Sequence, residues 1–242
     1  MQPELKPVRT DNSGFGRGSY DAAQDVAVGA PGQKVLRNTY MLLALTMVPT
    51  VAGAWIGIEF AGVMMASPIM TFVLMLGAII GLQFGIAAYR NSAVGIALLL
   101  LMTGLFGMFL GPLLNVALSM SNGVQLVGYA AAGTGVIFFA MGAVAQSIKR
   151  DLSFMGKFLF VGMIALLLAI VANIFLQIPA LALTISTLVI IVFSLFLLYD
   201  LNRIIRGGET NYVMATTGVY ISLLNIFSSL LHLLMAFGGE KD

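Results

Sequence analysis

Residues 91–148 run for 58 positions without a single Asp, Glu, Lys or Arg. An uncharged apolar stretch of that length is far longer than the roughly 20 residues a helix needs to cross the hydrocarbon interior of a bilayer. The turn-forming stretch 119–123 (SMSNG) sits near its middle, so it reads as two spans. The other uncharged runs divide by the same logic. Residues 38–58 supply one span of 21 residues, and the run 60–89 is shortened by the Ser67-Pro68 helix start to one more. Residues 158–199 are split at Gln177-Ile178-Pro179 into two, and 210–239 form the last. The sum is seven.

The basic residues offer an independent test. Lys34 and Arg37 precede the first span, Arg90 follows the second, Lys149, Arg150 and Lys157 follow the fourth, and Arg203 and Arg206 follow the sixth. The loops after spans one, three and five carry neither Lys nor Arg. Every second loop is therefore basic, which predicts a cytoplasmic N-terminus and, with an odd number of spans, a C-terminus outside. Six or eight spans would break the alternation.

Sixty per cent hydrophobic residues, nine per cent charged and a mean hydropathy of +1.00 agree with lipid as the solvent. With no cysteine the chain has no disulfide, thiolate metal site or cysteine nucleophile, and with one histidine it cannot build a usual zinc or copper site. No nucleophile–base pair, phosphate loop or paired catalytic carboxylates can be found, so neither an enzyme nor a bound cofactor is expected. The polar, Pro- and Gly-containing residues 1–33 read as a disordered cytoplasmic tail, residues 34–239 as the membrane domain and 240–242 as a short outer tail.

Polar residues inside the spans are the candidates for function. Asn211, Gly218, Ser222, Asn225, Ser229 and His232 fall within about 80° of arc at 100° per residue, one stripe down the last helix. Lipid offers such side chains no partner, so this helix is predicted to be the centre of the bundle, its stripe facing other helices or a wet cavity. Asp200 closes the sixth span at the unfavourable end of the helix dipole and needs a partner. Arg203, three residues on, could pair with it; alternatively Asp200 is a buried carboxyl gating a path beside the last helix. Gly207, Gly208 and Glu209 form a hinge between the two helices.

Elsewhere, Gly111-Pro112 predicts a kink, with Asn115 free to bond a neighbouring helix. Asn173 and Gln177, four apart, predict interhelical hydrogen bonds. Gly77, Gly81 and Gly85, together with the glycines from 128 to 135, predict close backbone approach. His232 reads as a packed, hydrogen-bonded histidine rather than a proton relay.

The stretches KVLRNTY (34–40), GPLLN (111–115), DLSFMG (151–156), VANIFLQIPALALTIS (171–186), GGETNYVMAT (207–216) and YISLLNIFSSLL (220–231) resemble the Bax inhibitor-1 family, also called TMBIM or UPF0005. The resemblance implies six helices around a central seventh. Its bacterial branch implies an inner-membrane protein that binds and restrains the membrane-anchored ATP-dependent protease FtsH, with the N-terminal tail as a segment the protease would engage. The wider family implies a different activity, a pH-sensitive calcium leak sensed by paired aspartates on the sixth and seventh helices. Asp200 matches the first of that pair and Ser222 falls on the second, with Arg203 or Arg206 left to complete a gate. A hydroxyl cannot share a proton with a carboxylate as a second carboxylate does, which weighs against H⁺ and Ca²⁺ here.

Overall fold

A computed structural model describes residues 17–150 and 152–239, with side chains from Gly32 onward. Lipid leaves backbone polar groups no outside partner, so spanning segments close their hydrogen bonds within themselves as helices. The chain forms α1 (Arg17–Glu59), α2 (Ala61–Ala66), α3 (Pro68–Ala88), α4 (Ala93–Leu118), α5 (Gly123–Ser147), α6 (Met155–Leu176), α7 (Pro179–Ile205) and α8 (Tyr212–Gly238). Seven of these are long and apolar enough to cross a membrane, the first over Gly32–Glu59. Among the described residues the backbone is helical from Arg17 onward, upstream of the boundary at Lys34 read from the sequence. The tail expected over 1–33 lies outside the described residues up to 16, and for its side chains up to 31; residues 240–242 are outside as well.

The helix breaks follow the sequence signals. Pro68 and Pro179 each occupy the first turn of a helix, where a missing N–H costs nothing. Gln177 takes a left-handed conformation, φ +52°, and closes α6. Asn173 serves that turn rather than a neighbouring helix: its Oδ1 accepts from the Ile178 N–H at 3.2 Å. The interhelical bond expected of Asn173 gives way to the nearer, unsatisfied backbone at the helix end.

Pro112 does not break α4, which continues through it. A proline there leaves the carbonyl of Met108, one turn back, without its helical donor. That carbonyl is where Gly57 of α1 approaches, so closely that a Cβ on Gly57 would fall on it. The same holds along the seam: a Cβ on Gly53 would fall on the Gly104 carbonyl, one on Gly107 on the Thr50 carbonyl, and one on Gly111 on the Gly57 backbone. Glycines at these positions let the two backbones meet, the favoured route to helix association in lipid. Asn115, expected to bond another helix, is exposed instead. The row Gly77, Gly81 and Gly85 makes no such seam: the space beside Gly77 and Gly81 is open, and Gly85 meets only the Leu98 side chain. Spacing alone cannot say which small-residue row finds a partner.

Helix α8 packs against α1, α3, α4, α5 and α7, and Val219, Tyr220, Ile226 and Leu231 on it are fully buried. Helix α6 packs chiefly on α7, standing behind it rather than in a closed ring. Large apolar side chains such as Phe84, Phe139 and Phe237 project outward, the arrangement expected where the solvent is hydrocarbon.

Candidate functional site

The basic end of the bundle holds a cavity of about 210 Å³ between α3, α7, α8 and the turn joining the last two. Its polar lining is Gln83, Asp200, Arg203, Glu209 and Thr217. Asp200 reaches it because α8 presents a glycine at the facing position: a Cβ on Gly218 would lie 2.7 Å from the Asp200 carboxylate. Gly218 thus belongs to the stripe for the room it leaves. Asp200 makes no hydrogen bond or ion pair with any described residue, although the attraction of Arg203 and the repulsion of Glu209 both reach it.

The Asp200–Arg203 pair read from the sequence does not form. At the end of α7 the N–H groups of Gly208 and Glu209 both donate to the Arg203 carbonyl, at 2.8 and 3.2 Å, and turn the chain sharply back. Gly207 makes this turn with φ +76°, a conformation only glycine adopts freely. The turn brings Glu209 beside Arg203, which forms a 3.3 Å ion pair with it while its Nε donates to the Gly208 carbonyl at 3.1 Å. The nearer carboxylate in space wins over the nearer one in sequence.

Arg206 points elsewhere. Its guanidinium donates to the Ile148 carbonyl at the C-terminal end of α5, where a positive charge meets the negative end of the helix dipole. Its Nε is buried and finds no partner among the described residues. Ser222 is buried but does not line the Asp200 cavity, since Asp200 stands against Gly218, one helical turn nearer the basic end. Of the four residues proposed as a gate, the structure brings together Asp200 and Arg203 only.

The rest of the stripe is divided among separate tasks. Asn211 caps α8 by accepting from the Val213 and Met214 N–H groups, each at 3.0 Å. Its amide donates to the Arg90 carbonyl at 2.9 Å and to Asn91 Oδ1 at 2.7 Å, tying α8 to the α3–α4 turn. Glu209 completes the corner by accepting from the Asn211 N–H at 3.0 Å. Asn225 donates to the Ile221 carbonyl of its own helix, and Ser229 is buried. His232 lies 2.8 Å from Ser186 on α7, a packed, hydrogen-bonded histidine. Within the stripe, Gly218 is the member that lines the Asp200 cavity.

Several polar residues escaped the sequence reading, Gln83, Asn202 and Tyr220 among them. Gln83 forms the α3 wall of the cavity, and its signal was a lone amide in an otherwise apolar span. Asn202, fully buried, accepts from the Leu152 N–H at 3.2 Å and donates to the Arg150 carbonyl at 3.3 Å, clamping the α5–α6 loop. Tyr220, also buried, joins three helices: its hydroxyl lies 2.8 Å from Thr50 Oγ1 and donates to the Thr103 carbonyl at 3.2 Å. Asn202 and Tyr220 sit outside the stripe, where periodicity gives no hint of a polar partner.

The chain matches the family described as "Inhibitor of apoptosis-promoting Bax1" over residues 32–239. It is 41% identical over 201 residues to the "Modulator of FtsH protease YccA" of Escherichia coli K12, covering 83% of this chain and 89% of that one. A membrane protein of Vibrio cholerae is 40% identical over 83% of this chain and 88% of its own. An uncharacterised protein of Neisseria meningitidis serogroup A is 39% identical over 85% of this chain and 92% of its own. Seven apolar spans, the block from Gly207 to Thr216 that builds the α7–α8 corner, and a family match that spans the whole helical domain lead to one conclusion: this chain is a polytopic membrane protein of the Bax inhibitor-1 family.

Proposed function

We propose that this protein resides in the bacterial inner membrane, where it binds the membrane-anchored ATP-dependent protease FtsH and restrains its action, by contact rather than by catalysis. The observation that carries the reading is the 41% identity, over most of both chains, to a relative named for modulating that protease and elsewhere named an inner membrane protein. The N-terminal segment 1–33, cytoplasmic by the charge alternation, is the part such a protease would engage. A bundle whose first span is joined to α4 backbone to backbone resists being drawn out behind it.

The alternative, a proton-gated calcium leak, draws support only from the Asp200 carboxyl in its cavity. Ser222, the position implied for the second carboxylate, lies outside that lining. The modulator reading is therefore preferred.

The test is mild cross-linking in native membranes, affinity purification of the full chain, and identification of what accompanies it. Recovery of the protease in amounts comparable to the bait is the expected result. Its absence, with the bait intact and well solubilised, would overturn the reading.

A further inference from the structure

A second concavity lies on the opposite flank of the bundle. It is a lateral cleft of about 660 Å³ between α1 and α5, with Leu223 of α8 at its floor. The two walls meet where Tyr40 packs edge-on against Phe138, ring centroids 5.6 Å apart. Helix α5 is cut back along the cleft: Gly135 has open space where a Cβ would stand, and Ala143 and Thr134 are small. The lining is mostly apolar: Tyr40 and Gln146 stand toward one end, and at the other the Thr134 hydroxyl is taken up by the Ala130 carbonyl of its own helix.

The cleft has a direction and a length. On α1 the lining residues Tyr40, Leu43, Ala44 and Met47 continue one turn outward to Arg37. On α5 the lining runs from Thr134 to Gln146, and Lys149 follows just past the helix end. Arg37 and Lys149 are both exposed, and no carboxylate lines the cleft. From Thr134 to Gln146 the helix rises about 18 Å at 1.5 Å per residue. That is close to half of a hydrocarbon core roughly 30 Å thick, the depth of one leaflet. An acyl chain occupies one leaflet, so its reach matches this length.

We propose that this cleft binds one acyl chain of an anionic glycerophospholipid, with its phosphate held at the basic end by Arg37 and Lys149. The apolar walls take the chain, Tyr40 and Gln146 sit at headgroup level, and the two cations select negative charge over zwitterionic lipid. The site is independent of the Asp200 cavity and of any protease.

The test exploits a single tryptophan, Trp55, which is 73% exposed near the far end of α1. The full chain carrying Trp55→Phe and Phe139→Trp places the only indole at the cleft, at a position already 75% exposed. Quenching is read in vesicles against rising fractions of brominated phosphatidylglycerol or brominated phosphatidylcholine. Half-quenching of the cleft reporter is expected at about fivefold lower fraction of the anionic lipid, the preference that basic side chains at a membrane surface confer. Trp55 in the unaltered chain is expected to show no such preference. Adding Arg37→Gln and Lys149→Gln, both at exposed positions, returns the cleft ratio to about one if these side chains hold the headgroup. Equal quenching by both lipids overturns the proposal in favour of ordinary boundary lipid, and a preference that survives the two Gln substitutions overturns the headgroup assignment. Failure of either lipid to quench, with the protein folded, means that the cleft is filled by protein and likewise overturns it.

Discussion

The carboxylate of Asp200 on α7 stands 2.7 Å from where a Cβ would project from Gly218 on α8. The two residues therefore form a complementary pair, a side chain and the absence of one. Alanine is ordinarily favoured over glycine within a helix by roughly 1 kcal/mol. Here the methyl of Gly218→Ala meets the far end of the Asp200 side chain, which must turn into its cavity, so the change is predicted to gain less than that propensity. In an Asp200→Ala background the same change should stabilise by about 0.5–1 kcal/mol. A double-mutant cycle of thermal unfolding in detergent reads the difference, and additive effects would show that the two groups do not contend for space.

The ion pair between Arg203 and Glu209 is partly exposed, with side-chain exposures of 41% and 18%. Glu209→Gln keeps an acceptor for the Asn211 N–H and removes only the charge. The predicted cost is below about 1 kcal/mol and shrinks with added salt. A loss of several kcal/mol, insensitive to salt, would contradict this account.

The two glycine rows make opposite predictions from the same substitution. Gly57→Ala sets a methyl on the Met108 carbonyl and should separate α1 from α4, costing more than about 3 kcal/mol or abolishing folding. Gly77→Ala meets open space and should be neutral or stabilising by up to about 1 kcal/mol. Melting temperatures of the two variants, measured side by side, decide the matter. Comparable losses would mean that α3 has a partner along that row.

Asn202 satisfies two backbone groups of the α5–α6 loop from a fully buried position. Its replacement by Ala should leave the Leu152 N–H without a partner and cost about 1–3 kcal/mol. The more specific signature is faster amide exchange in residues 149–157, with α8 unchanged. Uniform acceleration across the bundle would indicate global rather than local loosening.

How far the sequence disclosed this structure depended on the kind of signal. Span number and span limits rest on length, charge and proline, which act locally, and Pro68, Pro179 and the glycine turn at 207–208 stand where those rules require. The polar stripe drew attention to α8, which has many buried residues, because lipid offers no partner to its Asn, Ser and His side chains. Pairing was less legible. Arg203 turns to Glu209 because a tight turn brings that residue around, and no helical spacing encodes the turn's direction. The seam of Gly53 and Gly57 with Gly104, Gly107 and Gly111 was hidden because it joins residues far apart in the chain, whereas the more regular row on α3 lies unpartnered. Tyr220 and Asn202 went unnoticed for the same reason: their hydrogen bonds reach partners far away in the chain.

The glycine seam also sorts the bundle into fixed and loosely held parts. By fastening α1 directly to α4, it turns the intervening α2 and α3 into a side excursion, a flap hung from two anchored posts. Helix α3 buries only Ile86 fully and rests on α4, with a smaller contact to α8. Yet this flap carries Gln83, which walls the cavity holding Asp200. The α3 side of that cavity thus belongs to a lightly moored span, set apart from the fixed backbones of α1 and α4.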